Sequence, residues 1–283
     1  SENDWRWMVG VEAFPALIYT LMALGIPRSP RWLMTRGQEA EAGAVLDRLG
    51  SETTLAQLRA DMARDQPEGQ GEHIFLRKYR FPLALAFLIA FFNQFSGINA
   101  FLYYAPRIFE AAGLGESTAL LSSIGIGFTN LAFTLLGIYL IDRLGRRQLM
   151  YIGSVGYIVS LSLVAAAFLL QWTGMMVPVF LFLFIASHAI GQGTVIWVFI
   201  SEVFPNHLRG SGQAFGTSVH WILAWLIPSS IPLLFGWVGP GPVFAFFAFM
   251  MVLQLLFVHF MMPETKGISL EDLSRTLTGG RKK

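Results

Sequence analysis

Residues 93–104 read NQFSGINAFLYY, and they crowd two amides, a serine and a further amide around a glycine. Asn93, Gln94, Ser96 and Asn99 all carry neutral donors and acceptors, and Tyr103 and Tyr104 follow within two turns. In helical geometry Asn93, Ser96 and Gly97 share one face, and so do Ser96, Asn99 and Tyr103. Each primary amide offers two N–H donors and a carbonyl acceptor. Such groups beside aromatic rings suit a ligand rich in hydroxyls, which predicts a binding site for a sugar or a related polyol. The stretch lies inside a long apolar segment, where polar groups are tolerated only when they face protein or water.

The elements around this site follow from composition. The chain has 283 residues, of which 54% are hydrophobic and 13% charged, with 25 Phe and 8 Trp. The mean hydropathy is +0.54. A soluble domain carries about 25% charged residues, so the composition predicts an all-α, polytopic membrane protein. The net charge of +2 gives no reason to expect nucleic-acid binding. There is no cysteine, which excludes disulfides and thiolate metal sites. The chain opens Ser-Glu-Asn-Asp-Trp, and no signal peptide is visible.

A bilayer span needs about 20 predominantly apolar residues. Stretches at 7–26, 81–112, 118–141, 148–170, 176–200, 212–236 and 242–262 meet that need. The second is too long for one straight span, and Gly97 is the expected break. The polar insertion at 27–80 contains two amphipathic patterns, 39–49 and 55–65, and a flexible connector at 66–71. The resulting division is a span at 1–26, a helical linker domain at 27–80, a six-span bundle at 81–262 and a tail at 263–283. Placing 27–80, 142–147, 201–211 and 263–283 on one side gathers 18 of the 20 Lys and Arg there. The positive-inside rule makes that side cytoplasmic. One span followed by a bundle of six is half of a common transporter plan, in which the substrate lies between two bundles near the midplane.

Three loops on that side carry charge at short spacing. They are PRSPRWL at 27–33, DRLGRR at 142–147 and SEVFPNHLRG at 201–210. Arg31, Asp142, Arg146, Arg147, Glu202 and Arg209 could form ion pairs that latch this face shut, whereas separately they would only set topology.

Together with NQFSGINAFLYY and PETKG at 263–267, these motifs resemble the signatures of the sugar porter family of the major facilitator superfamily. The likeness extends over essentially the whole chain, with order and spacing in register. It implies the major facilitator fold, a start near the sixth of twelve spans, and an N-terminal half of the same transporter that is absent here. Asn93 and Gln94 match a Gln-Gln pair that binds sugar, with Asn93 the shorter side chain. Asn99 matches the asparagine of the same motif, and Tyr103 and Tyr104 match tyrosines of the outer gate. Asn130 matches a sugar-contacting asparagine. Gly191 to Trp197 match a Gly/Pro-rich stretch ending in a site tryptophan, with Gln192 and Thr194 at positions that vary or are often proline. His220 and Trp221 fill the place of a polar-Trp pair near the sugar. Where the family motif has an acid, this chain has Arg28.

Each residue also has a plainer role. Asn130 could be interhelical glue, Trp197 and Trp221 packing residues, and His220 a satisfied core histidine. His188 and His259 are expected to be structural. Glu12 is the single acid inside the first span.

The expected activity is transport of a monosaccharide or polyol by alternating access, as a proton symporter or a facilitator, with no cofactor and no metal. The alternatives are a transporter of a non-sugar small solute and a non-transporting membrane sugar sensor. An organic anion would call for a buried Arg or Lys, and the spans contain none apart from Arg107 near an expected outer end; the tail at 268–283 is short for a sensor. An intramembrane enzyme would need a nucleophile with its base, a metal-ligand cluster or paired carboxylates, and the spans carry none.

Overall fold

The computed structural model describes residues 6–7, 10–51, 53–64, 72–172, 175–268 and 270–279. The connector expected at 66–71 lies outside them. Two compact units divide at 68/69, and the described residues hold helices and loops but no strand.

The first unit contains α1 (Ala13–Ala23), α2 (Pro30–Thr35), α3 (Glu39–Arg48) and α4 (Leu55–Arg64). At about 1.5 Å per residue, the eleven residues of α1 rise well short of the ~30 Å hydrocarbon core. Pro30 starts α2, where its missing N–H costs nothing. Thr54 and Gln57 exchange hydrogen bonds at 2.8 and 3.2 Å, a capping box for α4. Leu33, Ala42 and Val45 form a small core with Met34 and Leu55 against it. Arg28 stacks over the Trp32 ring at 4.6 Å.

The second unit contains α5 (Arg80–Phe95), α6 (Ile98–Ala111), α7 (Glu116–Leu144), α8 (Arg146–Leu169), α9 (Met176–His188), α10 (Thr194–Glu202), α11 (Arg209–Val238), α12 (Pro240–Phe260) and α13 (Leu270–Thr278). Among the described residues, six segments are long and apolar enough to cross a membrane: Arg77–Ala111, Ile124–Leu144, Arg146–Leu169, Met176–Glu202, Asn206–Val238 and Pro240–Phe260. They agree with the expected spans from 81 onward. The helices run a few residues past the hydropathic limits, as α7 does through Asp142 and Arg143, because a helix continues into the interface where charge is solvated. Segments 77–111 and 176–202 are the most enclosed, and α7 and α11 present broad exposed faces.

The bundle holds together through small residues and aromatic rings. A Cβ on Gly153 of α8 would lie 2.9 Å from the Cα of Gly191, so the two backbones meet with nothing between them. Phe101 packs edge-on against Phe109 and Phe184, and Phe168 stacks on Phe244.

Two local departures from regular helix shape the interior. Gly97 has φ +81°, which breaks the first long segment between α5 and α6. A Cβ there would sit 2.6 Å from the Phe247 ring of α12. The second departure is a π-helical turn at Ala189–Gly193, joining α9 to α10, where Thr194 donates to the Ala189 carbonyl at 2.6 Å.

The unit boundary at 68/69 precedes the expected linker limit at 80. Hydropathy ends the linker where the apolar run begins, but Ile74 and Tyr79 are buried in the bundle's core. Glu72, nearly enclosed, pairs with Lys78, accepts from Tyr79 Oη at 2.9 Å and faces His207 Nε2 at 2.8 Å. The Lys78 ammonium hydrogen-bonded to it holds the Glu72 carboxyl below its ordinary value of 4.5, with Tyr79 and His207 acting in the same direction and burial opposing.

A carboxyl with a depressed folded value stabilises the fold above its unfolded value and stops doing so as pH falls through the folded one. Stability should therefore decline below about pH 4.5, and Glu72→Gln should flatten that acid limb in thermal melts between pH 3 and 6 (a range set by ordinary carboxylate values, roughly 4). An unchanged limb would show that Glu72 carries none of it. Gly97→Ala should cost about 2–4 kcal/mol through positive-φ strain and overpacking against Phe247. The check is the melting temperature in detergent; a wild-type value would mean that the bend does not depend on glycine.

Candidate binding site and gate

The bend at Gly97 places Asn93 and Gln94 at the end of α5 and Asn99 at the start of α6, so the three amides converge. Gln94 is 1% accessible and stands at their centre. Asn99 Nδ2 donates to Gln94 Oε1 at 2.9 Å, and Gln94 Nε2 donates to Asn93 Oδ1 at 3.0 Å. Gln94 Nε2 also lies 3.2 Å from both ring nitrogens of His220, across from α11. An amide N–H can only donate, so the His220 nitrogen it engages is an acceptor. The His220 ring centroid is 4.9 Å from that of Trp197 on α10 and 5.3 Å from that of Trp221. Trp197 is 38% exposed and Trp221 60% exposed, so two indole faces stand open beside a polar centre. Gln213 holds the Trp197 end of α10 by donating to its carbonyl at 3.1 Å.

The other expected ligand contacts are placed differently. Gln192, on the π-helical turn, is fully buried, as Gln94 nearly is, and stands behind the cluster. Asn93 Nδ2 approaches its Oε1 at 3.5 Å, and its own Nε2 donates to Gln254 Oε1 at 2.8 Å. Asn130 is half-buried on α7 and makes no side-chain hydrogen bond among the described residues. Tyr103 is exposed on α6, and Tyr104 is half-buried with the Arg107 guanidinium 6.0 Å from its ring centre.

His188, expected to be structural, shares a hydrogen bond at Nδ1 with the buried Tyr157 hydroxyl at 2.5 Å. One polar group of this region was not singled out in the sequence. Gln254 stands in a span with hardly another polar residue, and its isolation in Pro240–Phe260 is the signal that marks it.

At the basic end of the bundle, Arg146 makes a fork to Glu202 at 2.8 and 3.2 Å and reaches Asp142 at 3.0 Å. Thr265 Oγ1 donates to Glu202 at 2.6 Å. Glu264 accepts from the backbone N–H groups of Arg146 and Arg147 at 3.0 and 3.1 Å, where the positive end of the α8 dipole favours a carboxylate. Arg147 donates instead to the carbonyls of Val258 and His259, tying α8 to the end of α12. Arg209 donates to Asn206. Asp142, Glu202, Arg209 and Thr265 line a cleft of about 480 Å³ here. Arg31 lies in α2 of the first unit.

Residues 1–277 match the family described as "Sugar (and other) transporter". The chain belongs to that family. The arabinose-proton symporter of Bacillus subtilis is 34% identical over 277 residues, covering 96% of this chain and 60% of that protein. The D-xylose-proton symporter of Escherichia coli K12 is 32% identical over 280 residues, covering 96% and 57%. Among solved structures, the major facilitator superfamily proton:xylose symporter XylE bound to 6-bromo-6-deoxy-D-glucose superposes with a TM-score of 0.81 at 30% identity, over 96% of this chain and 59% of that one. The fold is therefore that of the major facilitator superfamily, and the protein is integral to a membrane. The chain spans about three fifths of the length of these relatives.

The two carboxylates on Arg146 should not count equally. The Asp142 side chain is 80% exposed and that of Glu202 only 17%. Glu202→Gln should lower stability by about 1.5–3 kcal/mol, since it removes a charged fork and weakens the Thr265 contact. Asp142→Asn should cost less than about 1 kcal/mol. Equal melting-temperature losses would show that exposure does not rank these pairs.

Proposed function

We propose that this chain forms part of a transporter that moves a monosaccharide or related polyol by alternating access, with proton coupling. The carrying observation is the Gln94-centred cluster, in which Asn93, Asn99 and His220 meet beside two partly exposed indoles. Amides and an imidazole can exchange hydrogen bonds with hydroxyls, and indole faces cover the apolar ring hydrogens of a sugar. The names of the relatives, symporters of arabinose and xylose, support the same reading. No bond is made or broken in it, so the protein is a carrier and not an enzyme.

Asn93, Gln94, Asn99, His220, Trp197 and Trp221 would contact the sugar. Asn130 would join from α7 when the bundle closes on it, and Gln192 would act from behind through Asn93. Tyr103 and Tyr104 would close the outer side. The basic end would be cytoplasmic, since 18 of the 20 Lys and Arg fall in segments assigned to that side. There Arg146, Glu202, Asp142, Arg147 and Arg209 would hold the inner gate, and Arg31 would be a gating residue of the linker. The opposing wall would come from a second bundle, consistent with the greater length of the relatives.

The test is uptake of labelled pentoses, hexoses and inositol into vesicles containing the full-length protein, with and without a pH gradient. Saturable uptake is expected, raised by the gradient and reduced at least about tenfold by Gln94→Ala, which removes a buried amide joined to three partners. Uptake that only equilibrates would replace symport with facilitation. Absence of uptake for every polyol, with normal membrane insertion, would overturn the sugar reading.

A further inference from the structure

We propose that Gln254, remote from the open indoles, is a positioning residue that sets which end of the Gln94 amide faces the ligand. The inference rests on the sugar-site reading above and concerns the orientation of that site's central residue.

A primary amide is nearly symmetric in shape and opposite in chemistry at its two ends. Which end points where is decided by neighbours. Here the neighbours form a chain with one direction. Asn99 Nδ2 donates to Gln94 Oε1 at 2.9 Å, and Gln94 Nε2 to Asn93 Oδ1 at 3.0 Å. Asn93 Nδ2 points at Gln192 Oε1 at 3.5 Å, and Gln192 Nε2 donates to Gln254 Oε1 at 2.8 Å. Gln254 Nε2 donates to Ser154 Oγ at 2.8 Å, and Ser154 Oγ donates to the Met150 carbonyl at 2.7 Å. The chain therefore ends on a backbone carbonyl, which cannot be turned round. Ser154, Gln192 and Gln254 are all fully buried, so bulk solvent does not reach them. Reversing any one of these amides alone would oppose two N–H groups or two oxygens at each amide–amide junction, and reversing Gln254 would also draw the Ser154 hydroxyl away from the Met150 carbonyl.

The direction fixed at Ser154 thus reaches Gln94 across α8, α12, the π-helical turn and α5. It leaves Gln94 with a donor toward His220 and an acceptor toward Asn99. The Asn93–Gln192 link, at 3.5 Å, is at the limit of hydrogen-bond length. It is held in line by the firm contacts on either side. Without Gln254, Gln192 Nε2 would keep only the Ile89 carbonyl at 3.4 Å.

The test compares Gln254→Met, which keeps length and removes both polar ends, with Gln254→Glu. A buried glutamic acid stays protonated, so its carbonyl can accept from Gln192 and its O–H can donate to Ser154. In the full-length protein, Gln254→Met should raise the KM for sugar uptake by about 3- to 10-fold, the span of one hydrogen bond, with kcat held. Gln254→Glu should restore it. A readout that needs no sugar is the side-chain amide spectrum of protein labelled with 15N-glutamine. The Gln94 signal, identified by its loss in Gln94→Met, should move in Gln254→Met and return in Gln254→Glu. If Gln254→Met does not fold, Ser154→Ala, which removes only the anchoring hydroxyl, should move the same signal.

An unmoved Gln94 signal would overturn the proposal, as would KM and kcat falling together in both Gln254 variants. Should no sugar be transported at all, the sugar reading fails, and the spectrum still decides whether Gln254 sets the amide.

Discussion

Amides carried to the middle of an apolar bundle have no water to bond with, so they must satisfy one another. Asn93, Gln94, Gln192 and Gln254 meet that demand by joining in series, ending on Ser154 and a helix carbonyl. The arrangement needs four helical elements within side-chain reach of one another. Close approach of α8 to the π-helical turn, with Gly153 against Gly191, is what permits it. The same closeness leaves little tolerance for added volume, which is why a methyl group at either glycine would act on the polar chain as well as on packing.

The break at Gly97 serves the same constraint from the other side. A straight helix would carry Asn99 away from Gln94 by about 1.5 Å of rise per residue. The left-handed turn folds Asn99 back so that it donates to Gln94. Phe247 fills the notch made by the missing side chain, so the bend is locked by the last long helix. Candidate binding groups from α5, α6, α10 and α11 then share one small region, with polar centres enclosed and indoles left open.

The basic end follows different physics. Its charges lie where solvent is near, and the worth of each pair depends on how much of it is covered. Glu202 is the covered partner of Arg146, and Glu264 works through backbone N–H groups instead of a side-chain cation. Two arginines of one motif therefore differ: Arg146 engages acids, and Arg147 engages the carbonyls that close α12.

Much of this was legible in the sequence. Hydropathy located the long helices of the bundle, because a bilayer-length apolar run has few other uses. The crowding of amides around Gly97 marked the polar cluster, and glycine inside an overlong segment marked the bend. That residues 74 and 79 belong to the bundle's core was not legible, since Ile74 and Tyr79 are buried by long-range contacts that local composition does not encode. Nor was the division of labour among the polar residues. Gln192 and Gln94 are the same side chain in similar apolar surroundings, and only tertiary packing turns one toward the open indoles and the other toward Gln254. The sequence by itself determined which groups would need partners at bilayer depth; the tertiary structure decided which partners they took, because hydrogen bonds depend on distances and directions that residues far apart in the chain acquire only when the helices pack.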